Sequence, residues 1–123
     1  MAIHSYKDLI VWQKSMDLVV EIYKLTDKFP KDELYGLTSQ MRRASVSIPS
    51  NIAEGRLRGH RKEFKLFISN AYGSGAELET QLELCKKIYD KLDINKAEEL
   101  LLEVMKMLNS IINKLKFPSK LSS

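Results

Sequence analysis

The stretch KEFKLFISNAYGSGAELETQLELCKKIY, residues 62–89, decides the fold. Within it Phe64, Phe67, Ala71, Leu78, Leu82, Cys85 and Tyr89 recur at steps of three and four, with Gly75 filling the missing step. That period places one apolar position per turn on a single face of an α-helix and leaves no strand-like alternation. Working outward, the same period returns in three other segments. Leu9, Trp12, Met16, Val19 and Tyr23 form a first stripe, with Asp8 as cap or first-turn acid and Phe29-Pro30 as the stop. Leu34, Leu37, Met41, Ala44 and Ile48 form a second, opened by Asp32 and Glu33, where the helix dipole favours acids. Ala97, Leu101, Val104, Leu108, Ile111 and Leu115 form the last, with Asp93 or Asn95 as its cap.

The links are short: Pro30-Lys31, Arg58 to His60, and Asp90 to Ile94. Short links between long helices make sequence neighbours antiparallel. The expected architecture is therefore all-α: one domain over residues 1–123, an antiparallel up-down-up-down four-helix bundle with a frayed polar tail at 118–123.

Three features interrupt the pattern. Pro49 lies inside the second helical segment; it lacks the donor for the carbonyl one turn back, so a kink or a restart capped by Ser47 is expected there. Gly73 and Gly75 lie inside the third helix, where each costs about 1 kcal/mol relative to alanine. Their return is close approach of another helix, or contact with a ligand. The fourth helix is over-rich in apolar residues, since Leu100, Leu102, Met105, Met107 and Ile112 lie beside its stripe. Either a second buried face makes the protein a homo-oligomer, or this helix is sunk deeper into its own bundle.

Composition narrows the function. The single Cys85 forms no internal bridge, which fits a reducing compartment. The opening MAIHSYKDL lacks the apolar run of a secretory signal, and no run reaches the ~18 residues of a membrane span, so a cytoplasmic protein without membrane contact is expected. No catalytic constellation, cofactor motif or metal-ligand spacing is visible. Neither His4 nor His60 has a glutamate three positions earlier, as di-iron bundles require. Gly55 and Gly59 do not make a phosphate-binding loop. The Arg-then-His spacing of helical HEPN ribonucleases would need arginine at Ala53, Glu54 or Gly55, and Arg56 stands too close to His60. Cys85 falls on the apolar stripe, where a thiol is inert. The protein is expected to be no enzyme and to need no cofactor.

Charge gives the positive signal. RLRGHRKEFK, residues 56–65, carries Arg56, Arg58, Arg61, Lys62 and Lys65 against Glu63 alone, a surplus of +4. The whole chain has 20 basic and 16 acidic residues, also +4, so the surplus is local. A localised cationic cluster points to a polyanion, unless it is only a solvated turn. His60 adds charge below about pH 6.5, and Arg42 and Arg43 either extend the patch or serve salt bridges. The patch has few aromatic neighbours, so recognition would be directed at phosphate and shape. Asn51, Glu54 and Gly55, in SIPSNIAEG, read as a hydrogen-bonded pair that fixes helix register, with a ligand contact as the alternative.

LIVWQKSMDLV, FPKDELYGLTSQMRRASVSIPSNIAEG and KEFKLFISNAYGSGAELETQLEL together resemble the proteins encoded by intervening sequences of bacterial 23S rRNA genes, over nearly the whole chain from Tyr6 to Leu115. Gly75 departs from that pattern, where a larger apolar residue is more usual. The resemblance implies a four-helix bundle and a ring-like homopentamer. It is also similar in fold to retroelement accessory proteins, which engage RNA and a reverse transcriptase through a basic barrel. The function expected on these grounds is non-enzymatic RNA binding by an oligomer; the alternative is a scaffold whose basic patch docks an acidic protein partner.

Overall fold

The structure, a computed structural model, describes residues 5–116. The expected tail at 118–123 lies outside the described residues. Four helices dominate: α1 (Ile10–Thr26), α2 (Ser39–Arg58), α3 (Arg61–Ile88) and α4 (Asn95–Lys116). Each packs on the two beside it, with α4 closing back on α1. Contacts between neighbours run in opposite numerical order. Lys14 meets Glu103 while Glu21 meets Lys96; Arg61 meets Lys114 while Lys86 meets Glu98; Ser47 meets Ser74 while Met41 meets Cys85. The α2–α3 and α3–α4 turns are thus at opposite ends of the bundle.

One core runs through all four helices, including the fully buried Leu18, Ile22, Met41, Ile48, Ile52, Ile68, Leu78, Leu82, Val104 and Leu108. Each large apolar side chain so buried contributes about 1.5–3 kcal/mol relative to exposure. The stripes expected on α2, α3 and α4 supply much of this core. On α1 the phase is shifted by one position. The buried residues are Val11, Ser15, Leu18, Ile22, Leu25 and Thr26, whereas Met16 and Tyr23 from the expected stripe are exposed. Ser15 can occupy the core because its hydroxyl donates to the Trp12 carbonyl at 2.8 Å, leaving no unpaired polar group.

Residues 31–38 differ from a plain helix start. A 3₁₀ turn (Lys31–Glu33) leads into a wide turn (Leu34–Thr38) broken at Gly36, whose φ and ψ are −112° and −118°. Glu33 holds this segment: its carboxylate accepts the Leu37 N–H at 3.1 Å and the Tyr89 hydroxyl at 2.9 Å. A Cβ at Gly36 would stand 2.9 Å from Glu33 Oε2, so a larger residue there would displace that carboxylate.

α2 continues through buried Pro49 as one helix, so the expected restart does not occur. Ser47 caps nothing; its hydroxyl bonds that of Ser74 across the α2–α3 interface at 2.8 Å. Of the two α3 glycines only Gly75 is a close approach, facing the Met105 thioether of α4. Gly73 is open, with nothing near the position a Cβ would take, which corrects the expectation of a tight crossing there. Most of the surplus apolar residues of α4 sit in its own bundle: Leu100, Met105, Met107 and Ile112 pack half-buried against the core, while Leu102 is exposed.

A candidate nucleic-acid interface

The basic segment is built by the α2–α3 turn. α2 ends because Gly59 adopts a left-handed φ of 77°, where a Cβ is strained. His60 is extended and its carbonyl accepts the Phe64 N–H at 2.9 Å, which starts α3. This two-residue link brings Arg56, Arg58, His60, Arg61 and Lys62, all exposed, together with half-buried Lys65. The last turn of α4, with Lys114 and Lys116, lies at the same end, since Arg61 reaches the Lys114 carbonyl. Leu57 and Leu66 are exposed within this cationic surface.

The cations are not equivalent. Arg58 stands 3.7 Å from both Glu54 and Glu63 and its guanidinium lies over the Phe67 ring at 5.3 Å. Arg61 donates to the Lys114 carbonyl at 2.9 Å, satisfying an acceptor that the C-terminal turn of α4 otherwise leaves open. Lys62 and Lys65 flank a shallow recess of about 530 Å³ floored by Leu66.

Elsewhere some of the charges are paired between helices. Lys14–Glu103, Lys96–Glu21 and Lys86–Glu98 tie α4 to α1 and α3 at 2.6–3.1 Å. Glu21 is held below the usual carboxylate range chiefly by its hydrogen bond to Lys96, against a smaller opposing effect of burial. The hydrogen bonds of Lys86 to Glu98 and Glu83 raise its ammonium.

Arg42 and Arg43 are not part of the patch. Arg58 stands fifteen positions along α2 from Arg43, which is about 22 Å. Arg42 donates to Thr26 Oγ1 at 2.9 Å and covers the Tyr23 ring at 4.5 Å, so it fastens α2 to α1. The expected register pair does not form either. Asn51 donates to the carbonyl and hydroxyl of Ser47, and Glu54 turns to Arg58. Gly55 instead allows α3 to approach, with Phe67 Cβ 2.7 Å from where its own Cβ would be. Cys85 is buried against Met41, and burial, then Glu33, pushes its thiol up to about 11. Among the described residues no group of three metal-ligating side chains occurs, and no helix is long and apolar enough to cross a membrane.

The sequence model of the 23S rRNA-intervening sequence proteins matches residues 7–110 of the 123. The chain belongs to that family. The match takes in all of α1 to α3 and most of α4, and with them the whole basic turn. No curated protein matches the sequence. The family description names a genetic location, a segment interrupting an rRNA gene, and no chemistry; the surface has to supply that.

Proposed function

We propose that this member of the family is a non-enzymatic, homo-oligomeric RNA-binding protein that presents the end of the bundle formed by the α2–α3 turn to phosphates. The observation that carries this reading is the gathering of Arg56, Arg58, Arg61, Lys62 and Lys65 at one turn, beside the lysines ending α4. Lysine and arginine in such a cluster displace counterions from a nucleic-acid backbone, which makes affinity fall steeply with salt. Exposed ring faces are lacking there, since Phe64 and Phe67 are half-buried, so the contact reads charge and shape. An oligomer repeats the patch and multiplies the effective affinity for one long polyanion.

Titrating a structured RNA hairpin across a range of salt concentrations tests this. Lys62→Gln/Lys65→Gln should weaken binding and lower the slope of log K against log salt by up to about 0.7–0.9 for each phosphate that is no longer neutralised. Unchanged affinity and slope would remove this end of the bundle from the RNA site. Arg58 and Arg61 make poorer probes, because each also bonds within the fold.

A further inference from the structure

The opposite end of the bundle carries a second surface that the basic turn does not account for. Tyr35 is 94% exposed, more than any other large apolar or aromatic residue among those described. It nevertheless sits on a tethered segment. Glu33, two positions before it, accepts the N–H of Leu37, two positions after it, and is itself anchored to Tyr89 at the end of α3. The break at Gly36 turns the chain between these tethers. The ring is therefore held out into water by a fixed turn.

Around it lies a pocket of about 380 Å³, lined by Tyr35, Tyr23, Ser39, Arg42 and Arg43 among others, none of them acidic. Arg42 is already oriented by Thr26 and the Tyr23 ring. Arg43 follows one residue further on. A bare aromatic face beside guanidinium groups and a hydroxyl matches the two parts of a nucleotide: a base to stack and a phosphate to pair. We infer that this pocket holds an unpaired nucleotide of the bound RNA, with the base on Tyr35 and the phosphate on Arg43. The inference rests on the RNA-binding reading and adds to it. The basic turn contacts phosphates of any RNA; this pocket, about 22 Å along α2 from Arg58, selects single-stranded segments.

The test measures fluorescence anisotropy of a labelled single-stranded oligouridylate and of a blunt RNA duplex of matched charge. Both are titrated with the wild type, Tyr35→Ala, Tyr35→Phe and Lys62→Gln/Lys65→Gln, each checked for folding by circular dichroism. Tyr35→Ala should weaken single-strand binding about 5- to 150-fold, the loss of one base stack, and leave the duplex unaffected. Tyr35→Phe keeps the ring and should bind like the wild type. Single-strand affinity unchanged by Tyr35→Ala overturns the inference, while the lysine variant still reports separately on the basic turn. Loss on Tyr35→Ala with no effect of the lysine variant upholds the pocket and removes the turn. No binding of either RNA by the wild type ends both. A change in oligomer mass of RNA-free Tyr35→Ala, seen by light scattering, would place Tyr35 between copies of the chain and also overturn the inference.

Discussion

Replacing Gly55 by alanine should loosen the bundle even though alanine is the better helix former. A methyl at Gly55 would lie 2.7 Å from Phe67 Cβ and 3.3 Å from Phe64 Cδ1. Phe67 Cβ is fixed to the backbone of α3, so no rotamer change relieves the contact. To reach an ordinary distance of about 3.4 Å the two helices must part locally by about 0.7 Å. If they move as rigid bodies, the Ser47–Ser74 hydrogen bond stretches from 2.8 Å toward the limit of a useful contact. Overpacking costs about 1–3 kcal/mol and the weakened hydrogen bond about 0.5–1.5 kcal/mol. Against these stands a propensity gain of about 1 kcal/mol. The net expectation is a destabilisation of about 0.5–3.5 kcal/mol. Gly73→Ala is the control, since nothing stands within 4 Å of its Cβ position; it should stabilise by about 0.5–1 kcal/mol. Gly75→Ala should fall between them, because the Met105 thioether in its way is flexible. Urea unfolding followed by circular dichroism, at one protein concentration and with unchanged slopes, gives all three. Gly55→Ala as stable as the wild type, or Gly73→Ala the more damaging of the two, would refute the argument.

Two further outcomes follow from the opposite ends of the bundle. Burial, then the hydrogen bond to Glu33, pushes the Tyr89 phenol up to about 12 from 10. The folded chain thus holds this proton more tightly than the unfolded one, so the contribution is whole below about pH 10 and lost as the pH rises through about 12. The gap in urea midpoint between wild type and Tyr89→Phe should shrink across that window; a constant gap would show that the phenol is not coupled to Glu33. At the other end, Arg61→Ala removes the donor to the Lys114 carbonyl, so hydrogen exchange should quicken in the last turn of α4 with a global destabilisation below about 1 kcal/mol. Faster exchange spread through α3 instead would show that Arg61 supports the helix it begins.

What the sequence disclosed, and what it hid, divides along physical lines. Period and breakers act locally, so the helices of α2, α3 and α4 and the short link through Gly59 could be read from spacing. The phase of α1 could not. Its seventeen residues carry two apolar rails, and the one continuous in hydropathy packs on the core at Trp12 but leaves Met16 and Tyr23 exposed. The buried rail passes through Ser15, which hydropathy counts as a breach. A serine hydroxyl that bonds its own helix costs little to bury, and its small size suits a crowded position; Ser45, bonded to the Arg42 carbonyl, repeats the device on α2.

The cations divide in the same way. The basic turn is contiguous in sequence and was legible as a patch. The division of labour within it depends on Glu54, Glu63 and Lys114, brought there by three different helices. Tyr35 was the least legible of all. In the sequence it is one aromatic in a helical stretch that opens with two acids, and hydropathy would place its ring on or near a core stripe. Only the tether of Glu33 to Tyr89, fifty-six positions away, and the break at Gly36 turn it outward. A residue whose exposure depends on a long-range hydrogen bond carries no local signature. If that bond is what presents the ring, Glu33→Ala, which removes both acceptors, should let Tyr35 leave its outward position and weaken single-strand RNA binding without touching any group in the pocket. A Glu33→Ala protein that binds as the wild type would show that the turn holds itself, and that Gly36 alone sets where the ring points.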